Sequence, residues 1–192
     1  MGKVAVAGGT GGVGHAIVDA LKEQSQHEFI LLSRNDNPTF AADNNLNVVK
    51  IDYSDVSPIF RVLDEYKIHA VISALYIVSQ EHDLKYTSFI NGLFLDYLAI
   101  PVVPSRLAAG VNFFDISNRV AVAIGTGKVQ LVLTCTRDVA LFVVGSLSLE
   151  KQGPKSYIVE DRKSWHQVVE ILENITGNFL TPFSPAPLES II

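Results

Sequence analysis

A chain of 192 residues with 48% apolar and 18% charged side chains can bury a sizeable core, so a compact soluble protein is expected. A formal net charge of −5 argues against a surface built to neutralise phosphate backbones, and so against nucleic-acid binding. Cys135 is the only cysteine, which excludes an internal disulfide and leaves too few thiolates for a cysteine zinc site; a reducing compartment fits best. Met1 and Gly2 lead directly into the strand-like run Lys3–Ala7 without the segments of a signal peptide. Val6 also breaks the myristoylation pattern. No run approaches the roughly twenty apolar residues of a membrane span. The longest, Val139–Val144, is interrupted by Gly145 and Ser146. A cytoplasmic protein without membrane or nucleic-acid partners is the expectation.

In chain order, Val4–Ala7 is a short continuous apolar run, the pattern of a strand buried on both faces of a parallel sheet. A glycine cluster ends it. Val13, Ala16, Ile17, Ala20 and Leu21 recur at helical spacing, and Gln24, Ser25 and Gln26 close the pattern. Phe29–Leu32 and Val48–Ile51 read as the second and third strands, joined by a polar stretch with Pro38 and several Asn residues. Asp55 can cap a helix running through Leu63, and His69–Ala74 is a fourth strand. This alternation predicts right-handed crossovers and a parallel sheet ordered 3-2-1-4. Only Tyr76–Lys85 then separates strand four from the strand-like Tyr86–Ile90, too little for a helix, a fifth strand and another helix. Further on, Leu93–Leu98 reads as helix, Val120–Ile124 and Val129–Leu133 as strands flanking Gly125-Thr126-Gly127, and Asp138–Leu147 as a capped apolar helix. Tyr157–Val159 reads as a short strand, and Ser164 caps a last amphipathic helix with Gly177 just past its end. The tail, with Pro182, Pro185 and Pro187, is expected to be unstructured.

The loop Gly8-Gly9-Thr10-Gly11-Gly12-Val13-Gly14 satisfies both G-x-x-G-x-x-G and G-x-G-x-x-G. Glycines permit the tight turn and let backbone amides approach a pyrophosphate, which the positive end of the following helix attracts. Because the loop follows a buried strand and opens a helix, it predicts a Rossmann-type dinucleotide site rather than an ordinary turn. An NAD site usually carries Asp or Glu at the end of strand two; this chain has Ser33-Arg34, and a guanidinium there favours the 2′-phosphate of NADP(H) over NAD(H). Asp36 lies two residues on and blurs that choice. Asp52 and Tyr53 are expected on the adenine side, and Ser73, Ala74 and Leu75 near the diphosphate and nicotinamide ribose. Gly8, Thr10, Gly11, Gly12, Val13, Gly14 and Arg34 complete the candidate cofactor set.

The glycine loop, Leu32-Ser33-Arg34, Val48–Asp55 and Val71–Leu75 together resemble the NmrA-like family of atypical short-chain dehydrogenases, which includes isoflavone-reductase-like proteins. Lys85-Tyr86-Thr87, Gly92–Tyr97, and Thr134 with Asp138-Val139-Ala140 are similar to that family's C-terminal half. The resemblance implies NADP(H) binding by an α/β Rossmann core over residues 1–80, with an incomplete second half. It implies a small α+β subdomain over 81–177 that lines a substrate cleft, followed by a flexible tail over 178–192. It further implies a reductase acting on carbonyls or activated double bonds of aromatic secondary metabolites, with Phe94 and Tyr97 facing the substrate. Other family members bind dinucleotide without turnover as redox-sensing regulators with protein partners.

The family carries a fifth strand and a helix with a lysine that orients the nicotinamide ribose or assists proton transfer. That segment belongs between Ser79-Gln80 and Glu81-His82, and it is missing. No tyrosine has a lysine four residues later, Lys85 and Tyr86 would point to opposite faces of a strand, and the family's lysine after the arginine has no match in Asn35–Asn47. The catalytic residues are therefore unknown, and a truncated inactive relative stands as an alternative. Loss of a strand and two helices predicts exposed apolar edges. No H-E-x-x-H or G-x-S-x-G pattern occurs, so no metal is expected. Glu81-His82-Asp83 reads as a solvated turn more readily than as an acid–base cluster.

Overall fold

The computed structural model describes residues 2–75, 85–99, 105–107, 113–122 and 125–183. Its first elements are β1 (Lys3–Ala7), α1 (Gly12–Gln24), β2 (Glu28–Ser33), α2 (Pro38–Asn44), β3 (Val48–Lys50), α3 (Val56–Glu65) and β4 (Ile68–Ser73). Next come β5 (Ser88–Ile90), β6 (Leu93–Phe94), α4 (Asp96–Ala99), β7 (Phe114–Asp115), β8 (Val120–Val122), β9 (Gln130–Thr134) and α5 (Thr136–Ser146). β10 (Lys155–Tyr157), β11 (Asp161–Ser164), α6 (Trp165–Thr176) and β12 (Thr181–Phe183) follow. They fall into two units: Met1–Ser88 with Ser105–Ala108 and Thr136–Ser156, and Phe89–Pro104 with Ala109–Cys135 and Tyr157–Ile192. Where the sequence suggested one divide near residue 80, the units interleave, because α5 packs its apolar face on α1. Among the described residues no helix is long and apolar enough to cross a membrane.

The first unit is a Rossmann-type parallel sheet in the order β3-β2-β1-β4, as the alternation of strands and helices predicted. β1 is central, which is why Val4, Ala5, Val6 and Ala7 are all buried and why the run is apolar without alternation. On one face α1 buries Ala16, Ile17, Val18, Ala20 and Leu21, and α5 buries Val139, Ala140, Val143 and Val144. On the other face Ala5, Ala7, Ile30, Leu32 and Ile51 meet Ile59, Val62 and Leu63 of α3. Each fully buried Val, Leu or Ile contributes about 1.5–3 kcal/mol, so packing rather than helix propensity holds these elements. Asp55 caps α3 as expected, its carboxylate accepting from the Ser57 amide.

Two features of this unit depart from the sequence pattern or extend it. The polar stretch between β2 and β3 contains α2, which buries no residue and so leaves no apolar periodicity. Pro38 starts it, and Asn37 and Asn45, both in the left-handed region at φ 41° and 51°, bracket it. At the other side of the sheet, Val71 of β4 aligns with Ala5 on the face that α3 covers, yet it is 50% exposed. Val56 and Phe60 of α3 are likewise more than half exposed. These three apolar side chains are exposed on β4 and α3 of this unit.

The second unit holds two small sheets, β11-β9-β6 and β12-β8-β7, around a core of Phe114, Ala121, Leu133, Trp165, Val168, Leu172 and Leu180. Trp165 is 1% exposed and lies 5.2 Å, centroid to centroid, from both Phe113 and Phe114. α6 opens with a reciprocal cap, Ser164 accepting from the Gln167 amide and Gln167 from the Ser164 amide, and ends on Gly177 at φ 66°, as the sequence predicted. The helix expected over Leu93–Leu98 is corrected. Leu93 and Phe94 pair in parallel with Leu133 and Thr134, and only Asp96–Ala99 is helical. The close strand approach requires Gly92, since a Cβ there would overlap the Val132 carbonyl. The expectation of an unstructured tail is also corrected at its start, because β12 pairs in parallel with β8 and sets Pro182 opposite Ala121. β12 is an edge strand, where a missing amide is tolerated. The strand expected at Tyr157–Val159 is displaced to Lys155–Tyr157, although the Ile158 amide still donates to the Ile90 carbonyl. Ala123, Ile124 and the Glu81-His82-Asp83 turn lie outside the described residues.

Candidate cofactor-binding site

In a parallel sheet every strand ends at the same edge, and ligands bind where neighbouring connections depart to opposite sides. Here that point lies beside β1, whose neighbours are β2 and β4. The chain leaves β1 through Gly8 at φ 77°, and the Gly11 amide donates to the Gly8 carbonyl across the turn at 3.1 Å. α1 begins immediately, and a Cβ on Gly14 would overlap the Gly8 carbonyl. That glycine lets helix and turn touch, as the motif requires.

The N-terminus of α1 is bare. Its N-cap, Gly11, has no capping side chain, and its first turn has no acidic residue. The first-turn amides of a helix have no acceptor within the helix and together carry about half a positive charge. Thr10 and Gly11 are exposed, so the turn is open to an anion on that side. At Gly12 the chain itself comes close, and a Cβ there would lie 2.8 Å from Leu107 Cδ2 and 3.0 Å from the Arg106 carbonyl. Arg106 is held by Asp19 of α1 at 3.1 Å. Gly12 is thus needed for chain packing as well as for the turn, and Val13 follows it in the first helical turn.

The other candidate cofactor residues stand at the ends of β2, β3 and β4. The Ala74 amide donates to the Ala7 carbonyl at 2.9 Å, and Leu75 packs against Gly8 so closely that a Cβ on Gly8 would come within 2.9 Å of Leu75 Cδ2. The Ser73 hydroxyl accepts from the Leu75 amide at 3.4 Å. Arg34 is exposed just past β2. Tyr53 is half-buried and its hydroxyl donates to the Leu32 carbonyl at 2.9 Å, which fixes the ring under the β2 end. Burial pushes its pKa up, and the positive charge of Arg34 opposes part of that rise. Asp52 Oδ1 accepts from the Ser54 amide and hydroxyl, and these bonds hold its carboxyl below the usual range. Phe94 and Tyr97, in the second unit, form an edge-to-face pair with centroids 6.3 Å apart.

Two further residues stand at the ends of β2 and β3. Ser33 is buried and its hydroxyl accepts from the Asn35 amide at 3.2 Å and from Asn37 Nδ2 at 2.8 Å, an internal anchor for the loop that presents Arg34. Lys50, at the end of β3, reaches Asp36 at 3.3 Å. It is remote along the chain, and the pairing of β2 with β3 sets it opposite Ser33, the residue before Arg34.

A parallel sheet with a glycine turn and a bare helix start at its switch point defines a dinucleotide-binding protein of the Rossmann type. The family model for NAD(P)H-binding proteins matches residues 8–114. "Oxidoreductase BOA1" of Botryotinia fuckeliana (strain B05.10) is 50% identical over 230 residues, covering 92% of this chain and 77% of that protein. That alignment is longer than the chain's 192 residues, so dozens of its positions have no counterpart here. A crystal structure of isoflavone reductase superposes with a TM-score of 0.70 at 14% identity, covering 99% of this chain and 80% of the other. A structure of AtPrR2 with NADP+ and (+)pinoresinol superposes with a TM-score of 0.66 at 16% identity, covering 95% and 78%. The chain belongs to the NAD(P)H-binding family of oxidoreductases, and its fold resembles that of isoflavone reductase.

Proposed function

We propose that the chain is an NADP(H)-dependent oxidoreductase of the isoflavone-reductase-like type that acts on an aromatic or other small carbonyl or enone metabolite. The observation that carries this reading is the bare start of α1 above the Gly8–Gly14 turn, with Arg34 exposed at the neighbouring strand end. In this reading the first-turn amides hold the pyrophosphate, and Arg34 grips the 2′-phosphate bidentately. Asp52 and Tyr53 border the adenine, while Ser73, Ala74 and Leu75 flank the diphosphate and nicotinamide ribose. The coenzyme supplies the hydride, and Phe94 and Tyr97 offer apolar ring faces to an aromatic substrate. The binding of NADP+ and (+)pinoresinol by AtPrR2 supports both halves of the reading.

Titration of the purified protein with NADPH and NADH, followed by absorbance at the nicotinamide band with a panel of aromatic enones and ketones, tests it. NADPH is expected to bind more tightly and to be consumed by at least one member of the panel. Arg34→Asp is expected to remove the preference for NADPH, while an equal loss for both coenzymes would sink the 2′-phosphate assignment. The length of the BOA1 alignment relative to this chain favours a second reading, in which the protein binds the dinucleotide and signals to a protein partner without turnover. Tight NADPH binding with no consumption across the panel selects that reading.

A further inference from the structure

We propose that Lys50 is the second cation of the 2′-phosphate site and that Asp36 holds it in position when no phosphate is bound. The inference rests on the NADP(H) reading above and deepens it. In the parallel pairing of β2 and β3, Lys50 stands opposite Ser33, the residue before Arg34. The Ile51 amide donates to the Ser33 carbonyl at 2.8 Å, which carries the pairing to the end of β2. Residues in register project to the same face of the sheet, so Lys50 rises beside the strand end from which Arg34 departs. The Ser33 hydroxyl folds the loop back over that end through Asn35 and Asn37, and the fold brings the Asp36 carboxylate to 3.3 Å from Lys50 Nζ.

Charge counting gives the lysine its task. A phosphate monoester carries about −1.5 to −2 at neutral pH, and the carboxylate of Asp36, two residues from Arg34, cancels that guanidinium. Without Lys50 the loop offers a dianion no net attraction; with it, one positive charge is left over. The pair is easily reassigned, because the two side chains are 60% and 71% exposed and an exposed ion pair contributes little to stability. A phosphate can therefore draw the ammonium from the carboxylate without disturbing the fold.

Calorimetric titration of the wild type, Lys50→Gln, Arg34→Gln and the double variant Asp36→Asn/Lys50→Gln with NADPH and with NADH tests this. Lys50→Gln is expected to weaken NADPH about tenfold or more, the scale of one charge-assisted hydrogen bond, and to leave NADH within about twofold. The double variant is expected to recover part of the NADPH affinity, because the repelling carboxylate has gone with the cation that screened it. If Lys50→Gln changes both coenzymes equally or neither, while Arg34→Gln still abolishes the wild type's preference for NADPH, the role of Lys50 is overturned and the NADP(H) reading stands. A wild type that binds both coenzymes equally overturns both. NADH binding by each variant and unaltered thermal unfolding serve as the controls for folding.

Discussion

Gly14 and Gly145 both sit in helices, and their surroundings give the same substitution opposite signs. A Cβ on Gly14 would overlap the Gly8 carbonyl and press on Gly9 Cα, backbone atoms that cannot swing aside, whereas a Cβ on Gly145 meets nothing within 4 Å. Gly14→Ala is expected to cost about 1–3 kcal/mol, the scale of overpacking, and Gly145→Ala to gain about 0.5 kcal/mol from the unfolded state's lost freedom; urea unfolding of the two variants measures both. His15 carries a prediction in pH. Burial first, and then the neighbouring Arg106, hold its pKa below 6.5, while Asp19 pulls the other way. The folded state therefore prefers the neutral ring. Stability from this group is complete above the unfolded value of about 6.5 and is lost as pH falls from there through the depressed folded value. His15→Gln, which removes the titrating ring, is expected to flatten the fall in melting temperature between about pH 7 and pH 5. A slope identical to that of the wild type would assign the acid sensitivity to other groups.

At the level of elements, legibility followed from how much of an element's pattern is local. β1, α1 and α3 announce themselves because burial on a fixed face imposes a period, and because Asp55 and Gly11 mark where helices begin. β7 and β12 have two and three residues, and the four-residue β11 exists through its pairing with β9, so no local period could reveal them. α2 escaped for the opposite reason, having helical backbone but no buried face. Lys50 is set beside Ser33 only by the pairing of β2 with β3, which no local stretch of sequence after Arg34 contains. α6 was legible to its ends, and its start can be tested by itself. Ser164→Ala removes the acceptor for the Gln167 amide and is expected to destabilise the second unit by about 1 kcal/mol. Ser164→Asp, which keeps an acceptor, is expected to restore most of that loss in the same urea titration. Equal losses for both variants would show that burial of Ser164, and not the cap, sets the cost.

At the scale of the molecule, the alignment with BOA1 and the exposed face of the first sheet point to one cause. The relative's alignment contains dozens more positions than this chain can fill, and the sequence lacks room after β4 for the strand and helices that complete a doubly wound sheet. Val71, Phe60 and Val56 of β4 and α3 are each half exposed or more. β4 pairs only with β1 among the described residues and carries neither Lys nor Pro, the usual protections of an edge. An apolar edge of this kind, as the described residues leave it, favours association with other chains over loss of internal stability. Val71→Lys combined with Phe60→Gln is accordingly expected to lower binding of an apolar dye and to delay light scattering on heating. The urea midpoint should correspond to a change of less than about 0.5 kcal/mol, because half-exposed side chains contribute little to the core. If dye binding and scattering stay at the wild-type level, this face is not the source of association, and the missing segment has left the sheet without a surface defect.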